Sequence, residues 1–289
     1  MLDLIDLDIP ELGYTRFISA WLYQGAEGAF LVDPGPTCTI ERLCRELAAR
    51  GADNLDFILL THIHMDHAGG IGHMAERFPE AKIVCHEKAV SHLIDPARLW
   101  KGSLKTLGHV AEVYGEIKPV PENRVSADYR IDFGSGILAV DTPGHAPHHL
   151  CFVFENELFC GELFGIFQDL VGRIYLRPAT PPRFVADAFF TSMERAAPYV
   201  DRTIRFAHYG SYPDGLEILR HAREQLDLWI NIIREHIDKP DIDAIIADLT
   251  ARDPIYSQIH ELPPAIYDRE RYFTRNSING ILGYLRSAG

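Results

Sequence analysis

Apolar positions in the first third of the chain fall into short strand-like runs separated by stretches of helical spacing. Residues 17–23 and 29–33 read as strands, and the second runs into the turn Pro34-Gly35-Pro36. Over 39–50, Ile40, Leu43, Cys44 and Leu47 recur at helical spacing, and Gly51 supplies a stop. Phe57-Ile58-Leu59-Leu60 is an uninterrupted apolar run, as expected of a buried strand. It leads straight into Thr61-His62-Ile63-His64-Met65-Asp66-His67. Gly69-Gly70 opens a predicted helix through Phe78, and 82–85 is the next strand. From 129 to 160 the pattern becomes a meander of short strands at 129–133, 137–141, 150–154 and 158–160, and 203–206 adds another. Strands interleaved with helices, then a meander, then helices predict a layered α/β arrangement.

The last quarter changes character. Leu219, Ala222, Leu226, Trp229, Ile230, Ile233 and Ile237 share one helical face, and the pattern stops near Lys239-Pro240. Two shorter helices are expected over 242–249 and 271–285, divided by Pro263-Pro264. The organisation expected is therefore a domain over 1–211 and a helical segment over 212–289. That segment is read as a cap first and a winged-helix-like appendage second.

Composition narrows the function classes. With 289 residues and a net charge of −13, the chain is long enough for a sizeable core and too acidic for nonspecific binding to phosphate backbones. The first residues lack the basic start and apolar stretch of a secretory signal, and no apolar run reaches membrane-spanning length. Five cysteines form no C-x-x-C pair, the usage of reduced thiols, so the expected location is the cytoplasm.

The unusual count is histidine, at 14. His62, His64, Asp66 and His67 sit within six positions, directly after a buried strand. Extended geometry points His62 and His64 the same way, with Asp66 and His67 in the turn entering the next helix. Imidazole and carboxylate are the ligands that zinc, iron and manganese accept, and this cluster offers enough of them for two ions. Three further segments place ligand-type side chains just past strand ends: Asp141-Thr142-Pro143-Gly144-His145, Gly161-Glu162 and Ala207-His208-Tyr209-Gly210.

These residues resemble the metallo-β-lactamase fold superfamily over roughly the first 210 positions, on the glyoxalase II-like metallohydrolase branch. The H-x-H-x-D-H signature matches His62, His64, Asp66 and His67, and the downstream ligands match His145, Glu162 and His208 in order. The resemblance implies an αβ/βα four-layer sandwich with a C-terminal helical segment. It also implies two divalent transition-metal ions, zinc first, with iron or manganese as alternatives. His62, His64 and His145 would hold one ion, and Asp66, His67 and His208 the other. Glu162 stands at the position of the bridging acid, usually Asp in the family; its extra methylene leaves bridging and single-ion ligation both open. In His145-Ala146-Pro147-His148-His149, Ala146 replaces a Thr and His148 a Gly of the family motif. His149 matches a structural histidine, and His148 is expected to be solvated or packed. Asp33 matches an acid that orients a ligand histidine.

The implied activity is hydrolysis of an ester, thioester, lactone or amide by a metal-bound hydroxide, with Asp66 aligning the nucleophile and moving the proton. A mononuclear iron persulfide dioxygenase is the alternative, because that branch shares the signature but uses two histidines and one carboxylate. A nucleic-acid-processing metallohydrolase ranks third. The interval from His67 to His145 leaves no room for a large insertion, and 212–289 is itself acidic. Flavin-dependent members carry Glu where this chain has His64, together with a flavodoxin domain, and neither feature is present. The expected partner is a small molecule rather than nucleic acid or a membrane, with a homo-oligomer left open. Phe164, Phe167, Arg173, Tyr209 and Tyr212 are candidates for a cleft mouth and equally for core.

Overall fold

The computed structural model describes residues 1–288, so Gly289, the last position of the predicted C-terminal segment, lies outside the described residues. The chain divides into two compact units. The first holds Met1–Asp141 and His148–Glu155, and the second holds Thr142–Pro147 and the residues from Asn156 onward.

In the first unit, β1 (Leu2–Asp6), β2 (Ser19–Gly25), β3 (Gly28–Val32), β4 (Phe57–Leu59), β5 (Lys82–Val84) and β6 (Val125–Ser126) lie side by side in that order. The first three pair antiparallel, which needs only a two-residue loop between Gly25 and Gly28. From β3 to β6 the pairing is parallel, and parallel neighbours require longer crossovers. Helices supply them: α1 (Ile40–Ala49) after β3, then α2 (Met65–Ala68) and α3 (Ile71–Arg77) after β4. After β5 come α4 (Val90–Ile94), α5 (Ala97–Leu107) and α6 (His109–Tyr114). Helix α1 buries Ile40, Leu43 and Leu47, the face expected from their spacing. Helices α4 to α6 were not anticipated; α5 has no fully buried residue.

A further antiparallel set joins β7 (Arg130–Ile131), β8 (Ile137–Asp141) and β9 (Leu150–Phe154). Aromatic rings pack these strands against the first sheet within the unit. Phe154 meets Tyr23 at a ring-centroid distance of 4.8 Å and Phe30 at 5.2 Å, and Phe30 meets Phe133 at 5.4 Å, all near edge-to-face. Each such pair is worth about 0.5–1.5 kcal/mol beyond the area it buries.

The second unit contains β10 (Glu157–Gly161), the hairpin β11 (Ile166–Leu170) with β12 (Arg173–Arg177), β13 (Thr203–Phe206) and β14 (Gly210–Tyr212). Strand β10 pairs parallel with β13, which pairs antiparallel with β14. The helices are α7 (Ala186–Ala196), α8 (Gly215–Glu235), α9 (Ile242–Arg252) and α10 (Pro264–Ala288). Asp214 caps α8 by accepting from the Glu217 N–H at 3.0 Å, and Asp241 caps α9 in the same way. The predicted stripe of α8 is buried at Ala222, Leu226, Trp229, Ile230 and Ile233. Trp229 Nε1 and Gln225 Nε2 both donate to the buried Asp253 carboxylate at 2.8 Å.

The final helix starts at Pro264, not near Arg271 as expected, because proline is compatible with a first helical turn whose N–H groups need no intrahelical partner. A buried ion group ties it to β12. Arg177 Nε lies 2.6 Å from Glu270 Oε2, Arg269 Nε lies 3.0 Å from Oε1, and the Tyr175 hydroxyl donates to Oε2 at 3.2 Å. Burial alone would raise the Glu270 pKa, but the two guanidiniums outweigh it and hold it below the ordinary value. No helix among the described residues is long and apolar enough to cross a membrane.

Candidate functional site

The first unit assembles its candidate ligands just past the end of β4. The buried run that makes this strand leaves the sheet at Leu60, whose N–H donates to Val84 O, and Thr61 O accepts from Leu150 N at 2.7 Å. His64 is extended, with φ −63° and ψ 153°, and α2 then begins at Met65, so Asp66 and His67 project from its first turn. His62 and His67 are almost fully buried. Their rings stand 4.1 Å apart by centroid, His62 and His64 4.6 Å, and His67 Nε2 lies 3.7 Å from Asp66 Oδ2.

Asp33 organises this cluster from the end of β3. Its carboxylate is 1% exposed and collects three donors. Oδ1 accepts from Thr61 N at 2.8 Å; Oδ2 accepts from Thr61 Oγ1 at 2.6 Å and faces His67 Nδ1 at 3.2 Å. Asp33 holds the left-handed φ of 51°, which short polar Asp tolerates better than most side chains. The proton count fixes two imidazoles. His67 donates through Nδ1 to the carboxylate, leaving the Nε2 lone pair. Thr61 has one hydroxyl proton and gives it to Asp33, so the His62 Nδ1 found 3.0 Å from Thr61 Oγ1 is a donor and its Nε2 also carries a lone pair.

Two histidines of the first unit stand close by. His149 is buried with its ring 5.4 Å from His62. His148 accepts from Ile63 N at 3.4 Å and lies 5.8 Å from the His64 ring. Of the two roles the sequence left open for His148, solvated or packed, the structure shows packing: its ring borders both His62 and His64, at 6.4 Å from the former. Thr61 was missed as the bridge to Asp33, although a hydroxyl directly before the first histidine of the signature was the available signal.

The second unit brings together His145, Glu162 and His208, all buried. His145 donates through Nδ1 to Ala179 O at 2.8 Å, so its Nε2 lone pair faces Glu162 Oε2, 2.9 Å away. Two lone-pair atoms at that distance repel unless a proton or a cation stands with them. Glu162 follows β10 and reaches the other way as well, with Oε1 3.9 Å from His208 Nε2. His208 follows β13 and is held by β11: Phe167 N donates to His208 O at 2.7 Å, and Tyr209 N donates to Phe167 O at 3.0 Å.

Among the cleft-mouth candidates, Phe164 and Phe167 are core, the latter stacked on Phe206 at 4.6 Å. Arg173 pairs with Glu261 on the surface. The Tyr212 hydroxyl donates to Glu217 at 2.7 Å, and this bond, more than burial, pushes its pKa up to about 12.

Comparison with known proteins places this architecture. Residues 13–208 match the family model of the metallo-β-lactamase superfamily. The metallo-β-lactamase fold-containing protein ST1585 of Sulfurisphaera tokodaii is 29% identical over 190 residues, covering 62% of this chain and 71% of that one. A hydroxyacylglutathione hydrolase of Aliivibrio fischeri is 26% identical over 184 residues; the match covers 63% of this chain but only 58% of the relative's length. The crystal structure of ST1585, from Sulfolobus tokodaii, aligns with a TM-score of 0.70 at 20% identity over 99% of this chain and 98% of that one. That likeness shows the expected fold class, an α/β sandwich of the metallo-β-lactamase kind with a C-terminal helical segment.

Proposed function

Because the chain belongs to the metallo-β-lactamase superfamily, we propose that it is a metal-dependent hydrolase acting on an ester, thioester, lactone or amide. The observation that carries this reading is the common backing of three imidazoles. His62, His67 and His145 each commit Nδ1 to an acceptor, which leaves Nε2 as the nitrogen with the lone pair. Imidazoles prepared in that way, beside carboxylates, suit a borderline divalent cation, zinc first and iron or manganese after it.

His62, His64 and His145 hold one ion in this proposal, and Asp66, His67 and His208 the other. Within the first unit His62, His64, Asp66 and His67 lie together, and within the second His145, Glu162 and His208 do, which supports it. Glu162 directs one oxygen toward His145 and the other toward His208, which favours a bridging role despite its extra methylene. When bound, such ions acidify water to a pKa of about 7 and polarise a carbonyl oxygen.

The chain's own residues supply orientation and proton handling. Asp33 keeps His67 and, through Thr61, His62 in one tautomer. The side chain of Asp66 remains about one-fifth exposed, so it is open to solvent and able to take a proton and return it to a leaving group. An acyl substrate is supported by the hydroxyacylglutathione hydrolase relatives. The C-terminal helices, 212 onward, are assigned to folding or substrate enclosure rather than nucleic acid.

The test is metal analysis of the purified protein together with assays on a thioester, a lactone and a persulfide. Two ions per chain with thioester or lactone turnover is the expected result. One iron per chain with oxygen-dependent persulfide turnover would replace this reading with the dioxygenase.

A further inference from the structure

We propose that α10 acts as a clamp on the metal-ligand histidine His145, making Ser277 and Thr180 positioning residues for metal binding; this rests on the metallohydrolase reading above. The connection begins at Ala179, whose carbonyl accepts the Nδ1–H of His145 at 2.8 Å. Ala179 sits in the segment that follows β12, and both of its neighbours are bonded to one residue of α10. Ser277 Oγ donates to Pro178 O at 2.9 Å, and Thr180 Oγ1 donates to Ser277 O at 2.8 Å. Arg177 adds a third tie, its guanidinium lying 2.6 Å from Glu270 and 3.4 Å from both Pro178 O and Ser277 Oγ.

Backbone contact closes the arrangement from both sides. A Cβ at Gly280 would stand 2.4 Å from Pro181 O and 2.8 Å from Thr180 O, so the helix touches the segment main chain to main chain. A Cβ at Gly165, three residues past Glu162, would stand 2.2 Å from Arg177 O. The segment therefore lies between the turn that presents Glu162 and the helix that ends the chain.

With Pro178 and Thr180 both tied, the peptide plane carrying Ala179 O has little freedom. A fixed acceptor fixes the imidazole ring, and Nε2 stays directed at Glu162 Oε2. Partners one step behind a ligand orient it and raise its basicity, and losing one typically weakens metal affinity 10- to 100-fold. Ser277 and Thr180 act one step further back, so about tenfold is expected.

The experiment uses the full chain and four variants: Ser277→Ala, Ser277→Thr, Thr180→Val and Thr180→Ser. Zinc and cobalt affinities are measured by chelator competition, the cobalt absorption spectrum reports ligand geometry, and urea unfolding of metal-free protein reports the fold. Ser277→Ala and Thr180→Val should each weaken one ion about tenfold and alter the cobalt spectrum, while the metal-free protein still unfolds cooperatively with a midpoint lowered only by the small cost of one lost hydrogen bond. Ser277→Thr and Thr180→Ser, which keep the hydroxyls, should restore both. Wild-type affinity and spectrum in Ser277→Ala and Thr180→Val would overturn the clamp and leave the metallohydrolase reading standing. If the wild-type chain takes up no metal ion, the metallohydrolase reading itself fails and the clamp falls with it.

Discussion

Asp33→Asn separates the hydrogen-bonding role of this carboxylate from its backbone role, because Asn tolerates the same left-handed φ. The carboxylate faces three donors: Thr61 N, Thr61 Oγ1 and His67 Nδ1. An amide has one acceptor oxygen. If that oxygen serves Thr61 Oγ1 and His67, the new NH2 confronts the Thr61 N–H, and if it turns round, it confronts the other two. The first choice is cheaper. It loses one charge-assisted bond, about 1.5–3 kcal/mol, and strands a buried N–H at about 1–3 kcal/mol, so the variant should be destabilised by roughly 3–5 kcal/mol. Metal affinity should fall 10- to 100-fold as well, since His67 no longer donates to a charge. Urea unfolding of the metal-free protein gives the first quantity, and chelator competition the second. A stability loss below about 1 kcal/mol with wild-type affinity would refute the three-donor account of Asp33.

Three other substitutions probe different links. Glu162→Gln keeps the side-chain length but removes the charge that would offset two cations, so stoichiometry should drop from about two ions per chain toward one; unchanged stoichiometry and affinity would exclude Glu162 as a ligand. Asp66→Asn should reduce turnover far more than substrate affinity, and an unchanged turnover number with metal content intact would remove Asp66 from the proton path. Glu270→Gln leaves Arg177 and Arg269 buried without their anion, which should cost about 3–5 kcal/mol near neutral pH. The folded pKa of Glu270 lies below its ordinary 4.5, so its charge stabilises the fold above that pH, and the contribution fades as pH falls through the lowered value. The gap in urea midpoint between wild type and Glu270→Gln should therefore narrow in acid; an equal gap at neutral and acid pH would contradict the ion-group account.

Local pattern was enough wherever a single element decides its own burial. Ile40, Leu43 and Leu47 needed only helical spacing to place α1, and the apolar run at Phe57 needed only its continuity to place β4. The hairpin of β11 and β12 shows the limit. Gly172, at φ 74°, sits at its turn beside Val171, which is fully exposed, so the apolar residue at the tip obscured the alternation on either side. Helix α10 was shortened because Pro263-Pro264 reads as a break, whereas the second proline opens the helix.

The ligand-type residues were legible because signature spacing is a local property. What holds them was not, save Asp33, which only the family resemblance marked as an acid that orients a ligand histidine; its contacts are long-range. Asp33 lies 28 residues from Thr61 and 34 from His67, and each contact exists only because β3 and β4 are neighbours in a parallel sheet. The same holds for His145 and Ala179, 34 residues apart, where the acceptor is a main-chain carbonyl that any residue type would supply. A backbone acceptor leaves no trace in composition or motif, and a lone hydroxyl such as Ser277 reads as one more polar position on a helix. Substitutions at such positions are therefore the informative ones. They test whether metal affinity resides in the ligands alone or also in the peptide groups and hydroxyls behind them. A tenfold loss in Ser277→Ala with an unchanged fold would assign part of it to a helix that no ligand motif touches.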